Sequence, residues 1–102
     1  MNRALLLAPV IAASFAIASA AQAAGNAEAG KAKSATCVGC HGANGQGVAP
    51  NPAIAGQPEA QFVQALKDHK SGAKANPVKR GITATLSDQD MEDLAAYYAS
   101  LK

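Results

Sequence analysis

Two cysteines, Cys37 and Cys40, stand two residues apart, and His41 follows the second at once. Cys-x-x-Cys-His is the pattern of covalent c-type haem attachment. Two thiols at this spacing can form thioethers with the two vinyl groups on one porphyrin edge, and the imidazole that follows can serve as an axial iron ligand. The competing chemistry for a Cys-x-x-Cys pair is thiol–disulfide exchange. That chemistry normally sits in an alternating strand–helix sequence, and none is visible in this chain. The motif therefore predicts one haem c, with iron, held by Cys37, Cys40 and His41.

The residues before the motif point to export. Met1-Asn2-Arg3 is a short basic start, Ala4 to Ile17 is apolar except for Ser14 and the break at Pro9, and Ala21-Gln22-Ala23 has the small-x-small pattern of a secretory cleavage site. The segment is Ala-rich and falls short of the roughly 20 strongly apolar residues of a spanning helix. Residues 1–23 are thus expected to be a cleaved signal peptide, and 24–102 a single domain in a bacterial periplasm. That compartment permits disulfides, but haem attachment uses both cysteines.

Composition narrows the partners. The chain has 9 Lys/Arg against 7 Asp/Glu, and loss of Arg3 with the leader leaves the domain close to neutral. With no strong basic excess, and only Phe62, Tyr97 and Tyr98 as aromatics after the leader, nucleic acid is not an expected partner. A domain this small buries a limited core and commonly needs a staple. A haem inserted among the helices would supply the missing apolar volume.

Three helical segments are expected to position the motif. The first runs from about Asn26, a suitable N-cap, to Thr36, with Glu28 in its first turn. The second starts near Gln57, with Pro58 suited to the first helical position. It carries Phe62, Val63, Leu66 and His69 on one face and ends at Gly72. The third opens at the cap Ser87, with Asp88 and Asp90 at its positive end. Met91, Leu94, Ala95, Tyr98 and Leu101 form its apolar stripe. No strand pattern competes, so the fold class is all-α. Gly42-Ala43-Asn44-Gly45-Gln46-Gly47 lacks the strand and the Gly-Lys-Ser/Thr ending of a phosphate loop, and its glycines fit a backbone turning closely around a porphyrin. The loop from Gly72 to Leu86 is expected to cover the face opposite His41.

These features together resemble a small bacterial class I cytochrome c of the c-553 type, a domain also found in tandem in dihaem cytochromes. The resemblance is carried by Gly30-Lys31, Cys37 to Gly42, Pro52 to Gln57, Lys70-Ser71-Gly72, Asn76-Pro77, and Leu86-Ser87-Asp88 through Ala96-Tyr97. It implies three main helices and long loops around one haem, with the first and last helices crossing where Gly30 admits an aromatic from Tyr97 or Tyr98. It also implies that the Pro52 carbonyl accepts the Nδ1 hydrogen of His41, which would orient the ring and raise the basicity of its other nitrogen.

One departure stands out. In the resembled family a Met two residues after the Asn-Pro pair is the sixth iron ligand. Here Asn76-Pro77 is followed by Val78 and then Lys79. Met91, the one methionine after the leader, lies on the core stripe of the last helix, where Met is ordinary filling. Three distal arrangements stay open. Lys79 can bind iron as a neutral amine, which requires loss of a proton from a group of ordinary pKa about 10.4. His69 can take the position. Or the iron keeps water or an empty position, open to gases or peroxide. Lys79 is the first choice, and the function that follows is one-electron transfer between a membrane donor and a terminal acceptor, without enzymatic chemistry. The alternatives are a haem protein that binds small ligands and a domain that keeps its haem only as a docking module. The electron carrier is expected to be a monomer, peripheral to the membrane at most. Lys31, Lys33, Lys67 and Lys70, with Lys74, Lys79 and Arg80, could form a basic ring that steers an acidic redox partner.

Overall fold

Asn26 starts the first helix, because its Oδ1 accepts from the backbone N–H groups of Glu28 and Ala29 at 2.9 and 3.1 Å. This satisfies two of the donors that a helix start leaves unpaired. The computed structural model describes residues 25–101, so the expected signal peptide lies outside the described residues. Helix α1 spans Ala27–Lys33 and α2 spans Ala35–His41. One continuous segment ending near Thr36 was expected. Instead Ser34 Oγ donates to the Lys31 carbonyl at 2.6 Å, the kind of local side-chain bond that interrupts a helix. The second piece then carries all of Cys37-Val38-Gly39-Cys40-His41.

Helix α3 spans Glu59–Ser71, with Pro58 just outside it and Gly72, at φ +84°, closing it. Helix α4 spans Pro77–Thr83 inside the stretch expected to be loop. Asn76 Oδ1 accepts from the Lys79 backbone N–H at 3.1 Å and Pro77 takes the first turn, a cap followed by a pre-set φ. Where three main helices were expected, the described residues form five. Helix α5 spans Asp88–Ser100 and opens on a capping box between Ser87 and Asp90. The described residues contain no strand, only an isolated antiparallel bridge between Val48 and Asn51. No helix among them is long and apolar enough to cross a membrane.

The helices α1 and α5 cross in close contact, and α3 packs on both α4 and α5. Gly30 makes the first crossing possible. A Cβ there would collide with the Asp93 carbonyl and come within 2.8 Å of the Tyr97 Cβ. The aromatic anticipated at this crossing is thus Tyr97. The core gathers Phe62, Val63, Leu86, Met91, Leu94, Ala95 and Tyr98. Tyr98 ties it together, its ring 5.5 Å from Phe62 and 5.0 Å from Tyr97. Met91 is 0% exposed, so it is a core residue. Burying each such large side chain contributes about 1.5–3 kcal/mol, a modest sum for a core this small.

Candidate haem site

Helix α2 delivers the motif at its last turn. Cys37 is half-buried, Cys40 is exposed and His41 is only 7% exposed. Beyond His41 the chain reverses, and the Gly47 N–H donates to the His41 carbonyl at 2.7 Å. The His41 Nδ1 donates to the Pro52 carbonyl at 2.7 Å. That contact fixes the ring and leaves Nε2 as the free nitrogen for a metal. The Pro52 segment is itself held, because the Gly45 carbonyl accepts from Ile54 and Ala55 at 2.8 and 3.0 Å. Gly45 sits at φ +66°, and a Cβ there would lie 2.7 Å from the Tyr98 ring. Only glycine meets both conditions.

A cavity of about 730 Å³ opens between the motif and the two helices that follow. From α2 it receives Cys37, Cys40 and His41, and from the intervening loop Pro52 and Ile54. Helix α3 adds Phe62, Leu66 and His69, while α4 adds Lys79, Ile82 and Thr83. This volume is in the range of cofactor clefts, about 300–1,000 Å³. The lining combines apolar side chains with polar ones such as Gln57, Gln61, Asp68 and Asn76, and the Nδ1 of His69, one of the lining residues, is buried with no hydrogen-bond partner. These residues fit a c-type haem: two thiols and an oriented imidazole at one wall, apolar surface for the macrocycle, and two further nitrogen-bearing side chains.

The electrostatics argue against the dithiol alternative. Burial pushes the Cys37 thiol above its ordinary pKa, outweighing the lowering effects of Thr36, Tyr98 and Lys79. A redox dithiol needs the opposite shift. Tyr98, beside Cys37, is pushed well above the usual phenol range, chiefly by burial. His69 is held below its ordinary pKa by burial first, then by the charges of Lys79 and Lys74. Lys79 thus acts on both Cys37 and His69, two residues of the same cavity lining.

The cavity brings together Cys37, Cys40, His41, Pro52, Lys79 and His69, and its lining leaves out Met91. Sequence reasoning passed over Ile54, Ile82 and Thr83, along with Gln61 and Gln64 of α3. The signal for the glutamines was their i, i+3 spacing beside Phe62, one turn of a helix. The anticipated basic ring is uneven. Lys33 pairs with Asp90 at 3.7 Å, and Lys70 Nζ donates to the Leu86 carbonyl at 2.6 Å. Lys74 and Lys79 line the cavity.

Known proteins share much of this chain's sequence and fold. The cytochrome c family model matches residues 27–102. Cytochrome c4 of Pseudomonas aeruginosa is 48% identical over 83 residues, covering 80% of this chain and 41% of that protein. Cytochrome c-554(548) of Halomonas halodenitrificans is 41% identical over 85 residues, covering 76% of this chain and 98% of that protein. A solved cytochrome c4 of Acidithiobacillus ferrooxidans, described as supporting a complex-induced tuning of electron transfer, superposes with a TM-score of 0.72 at 33% identity. That match covers 74% of this chain and 49% of the other. The chain spans about half the length of the cytochrome c4 relatives.

Proposed function

Because the chain belongs to the cytochrome c family, as a small class I c-type cytochrome, we propose that it is a periplasmic one-electron carrier with one haem and Lys79 as the sixth iron ligand. The family implies covalently bound haem c. Bound haem supplies a reversible one-electron couple at its iron. In this proposal Cys37 and Cys40 anchor the group, and His41 offers Nε2 from a ring that the Pro52 carbonyl keeps in place. Phe62, Leu66, Ile54 and Ile82 keep water from the macrocycle. A ligand set filled from within the chain leaves electron exchange with redox partners, here a membrane donor and a terminal acceptor, as the work of the site.

The observation that carries the proposal is the lining of one cavity by the oriented His41 and by Lys79 of α4. A lysine ammonium must shed its proton to ligate. The test is the visible spectrum of the reduced protein before and after carbon monoxide. An unchanged low-spin spectrum is expected. Prompt formation of a carbon monoxide adduct would overturn the internal sixth ligand and favour small-ligand binding. Export is tested separately: the secreted protein should begin at Ala24 on N-terminal sequencing, after cleavage behind Ala23.

A further inference from the structure

His69 and Lys79 stand on packed helices, α3 and α4, and face the same cavity. The residue His69 is half-buried, yet its Nδ1 is sealed from solvent and has no partner. Buried polar atoms are almost always paired, so this nitrogen asks for a neighbour. Several groups near it on the two helices already have partners. On α3, Gln64 Nε2 donates to Asp68 Oδ1 at 2.9 Å, and the Asp68 carbonyl accepts from Ser71 and Lys74. On α4, the Thr83 hydroxyl donates to the Lys79 carbonyl at 2.8 Å, and Asn76 Oδ1 caps the helix. The charge of Lys79 acts on the imidazole together with that of Lys74, while Asp68 opposes them.

A neutral imidazole protonated at Nε2 presents Nδ1 as an acceptor. A lysine amine bound to a metal keeps two N–H groups, and where water is excluded each requires an acceptor. We propose that His69 is a positioning residue for Lys79, its Nδ1 accepting a hydrogen bond from the Lys79 amine and so holding that amine in place as a ligand. This rests on Lys79 being the distal ligand, and it gives the histidine of α3 a role that packing alone would not.

The test titrates the ferric holoprotein with imidazole and follows displacement of the internal ligand by the visible spectrum. His69→Phe removes the acceptor and keeps a planar ring, while His69→Gln keeps an acceptor oxygen. Displacement in His69→Phe should need about tenfold less imidazole, which corresponds to one lost hydrogen bond of about 1.4 kcal/mol. His69→Gln should recover to within about threefold of the parent. A His69→Phe protein that titrates like the parent, or a His69→Gln protein as weak as His69→Phe, overturns the positioning role. Lys79→Ala separates the two claims. If it keeps the parent's low-spin spectrum, the Lys79 ligand itself is wrong; if that spectrum is also lost in His69→Phe without added imidazole, His69 is the ligand.

Discussion

The backbone N–H of Asn26 donates to the Asp93 carboxylate at 2.7 Å, so the start of α1 is held by a residue of α5 that lies 67 positions along the chain. Asp93 is 7% exposed, and it accepts from Gln89 Nε2 at 2.8 Å as well. No cation is needed beside this buried carboxylate, because the positive end of α1 faces it. Asn26 in turn caps α1 through Glu28 and Ala29. Two helices whose packing frames the motif are thus fastened end to side by one acidic group.

Asp93→Ala should therefore cost about 1.5–3 kcal/mol, the worth of hydrogen bonds to a charged acceptor. Urea unfolding of the holoprotein measures it. Asp93→Asn keeps an acceptor oxygen and should lose less. An Asp93→Ala protein within about 0.5 kcal/mol of the parent, the range of ordinary surface substitutions, would show that the bond holds nothing.

At the same crossing, Gly30→Ala sets two effects against each other. Alanine in a helix interior gains up to about 1 kcal/mol over glycine. Against this, the new methyl would meet the Asp93 carbonyl and the Tyr97 Cβ, and overpacking costs about 1–3 kcal/mol. Backbone on one side leaves little room to yield, so the steric effect wins. A lower thermal midpoint is expected; a rise would mean the helices separate freely.

The start of α5 carries a pH dependence with a definite sign. The backbone N–H of Ser87, 3.0 Å from Asp90 Oδ2, is the largest of the influences that hold this carboxyl below its ordinary pKa, and Lys33 adds a smaller one. Since the folded value is depressed, the unfolded chain takes up the proton first. The contribution is complete above the unfolded value of about 3.9 and fades as pH falls through the lower folded value. The parent should exceed Asp90→Ala by about 0.5–2 kcal/mol near neutrality, as for other caps. That difference should shrink below about pH 4. A difference that persists unchanged into stronger acid would place its origin elsewhere.

What was legible in the sequence follows from how local each signal is. Asn26, Ser87 and Gly72 act within a few residues, and all three bound helices where expected. The stripe from Met91 to Tyr98 has a helical period, and its members are buried together. Helix α4 was hidden although its cap and proline, Asn76-Pro77, were in plain view. Gly81 and the charges of Lys79 and Arg80 give it no apolar period, and its helix becomes evident only through the α3 packing and the cavity it lines. The break at Ser34 depends on one side-chain bond that periodicity cannot report. His69 was the hardest case. Its place on the α3 stripe suits a packing residue equally well, and only the buried, unpartnered Nδ1 distinguishes it.

The identity of the residue at position 79 should set the potential of the haem. Sulfur from Met stabilises the ferrous state and raises the potential, whereas an amine favours the ferric ion. Lys79→Met should therefore raise the midpoint by at least about 60 mV, one decade in a one-electron equilibrium. The substitution suits the fold, since residue 79 is half-buried on α4 and its backbone N–H keeps the Asn76 cap whatever the side chain. Met91 offers no substitute ligand: it is fully buried in the core and outside the cavity lining. Lys79→Ala should accordingly bind carbon monoxide readily in the reduced state, while Lys79→Met should resist it. A redox titration in which Lys79→Met matches the parent or falls below it would remove Lys79 from the iron.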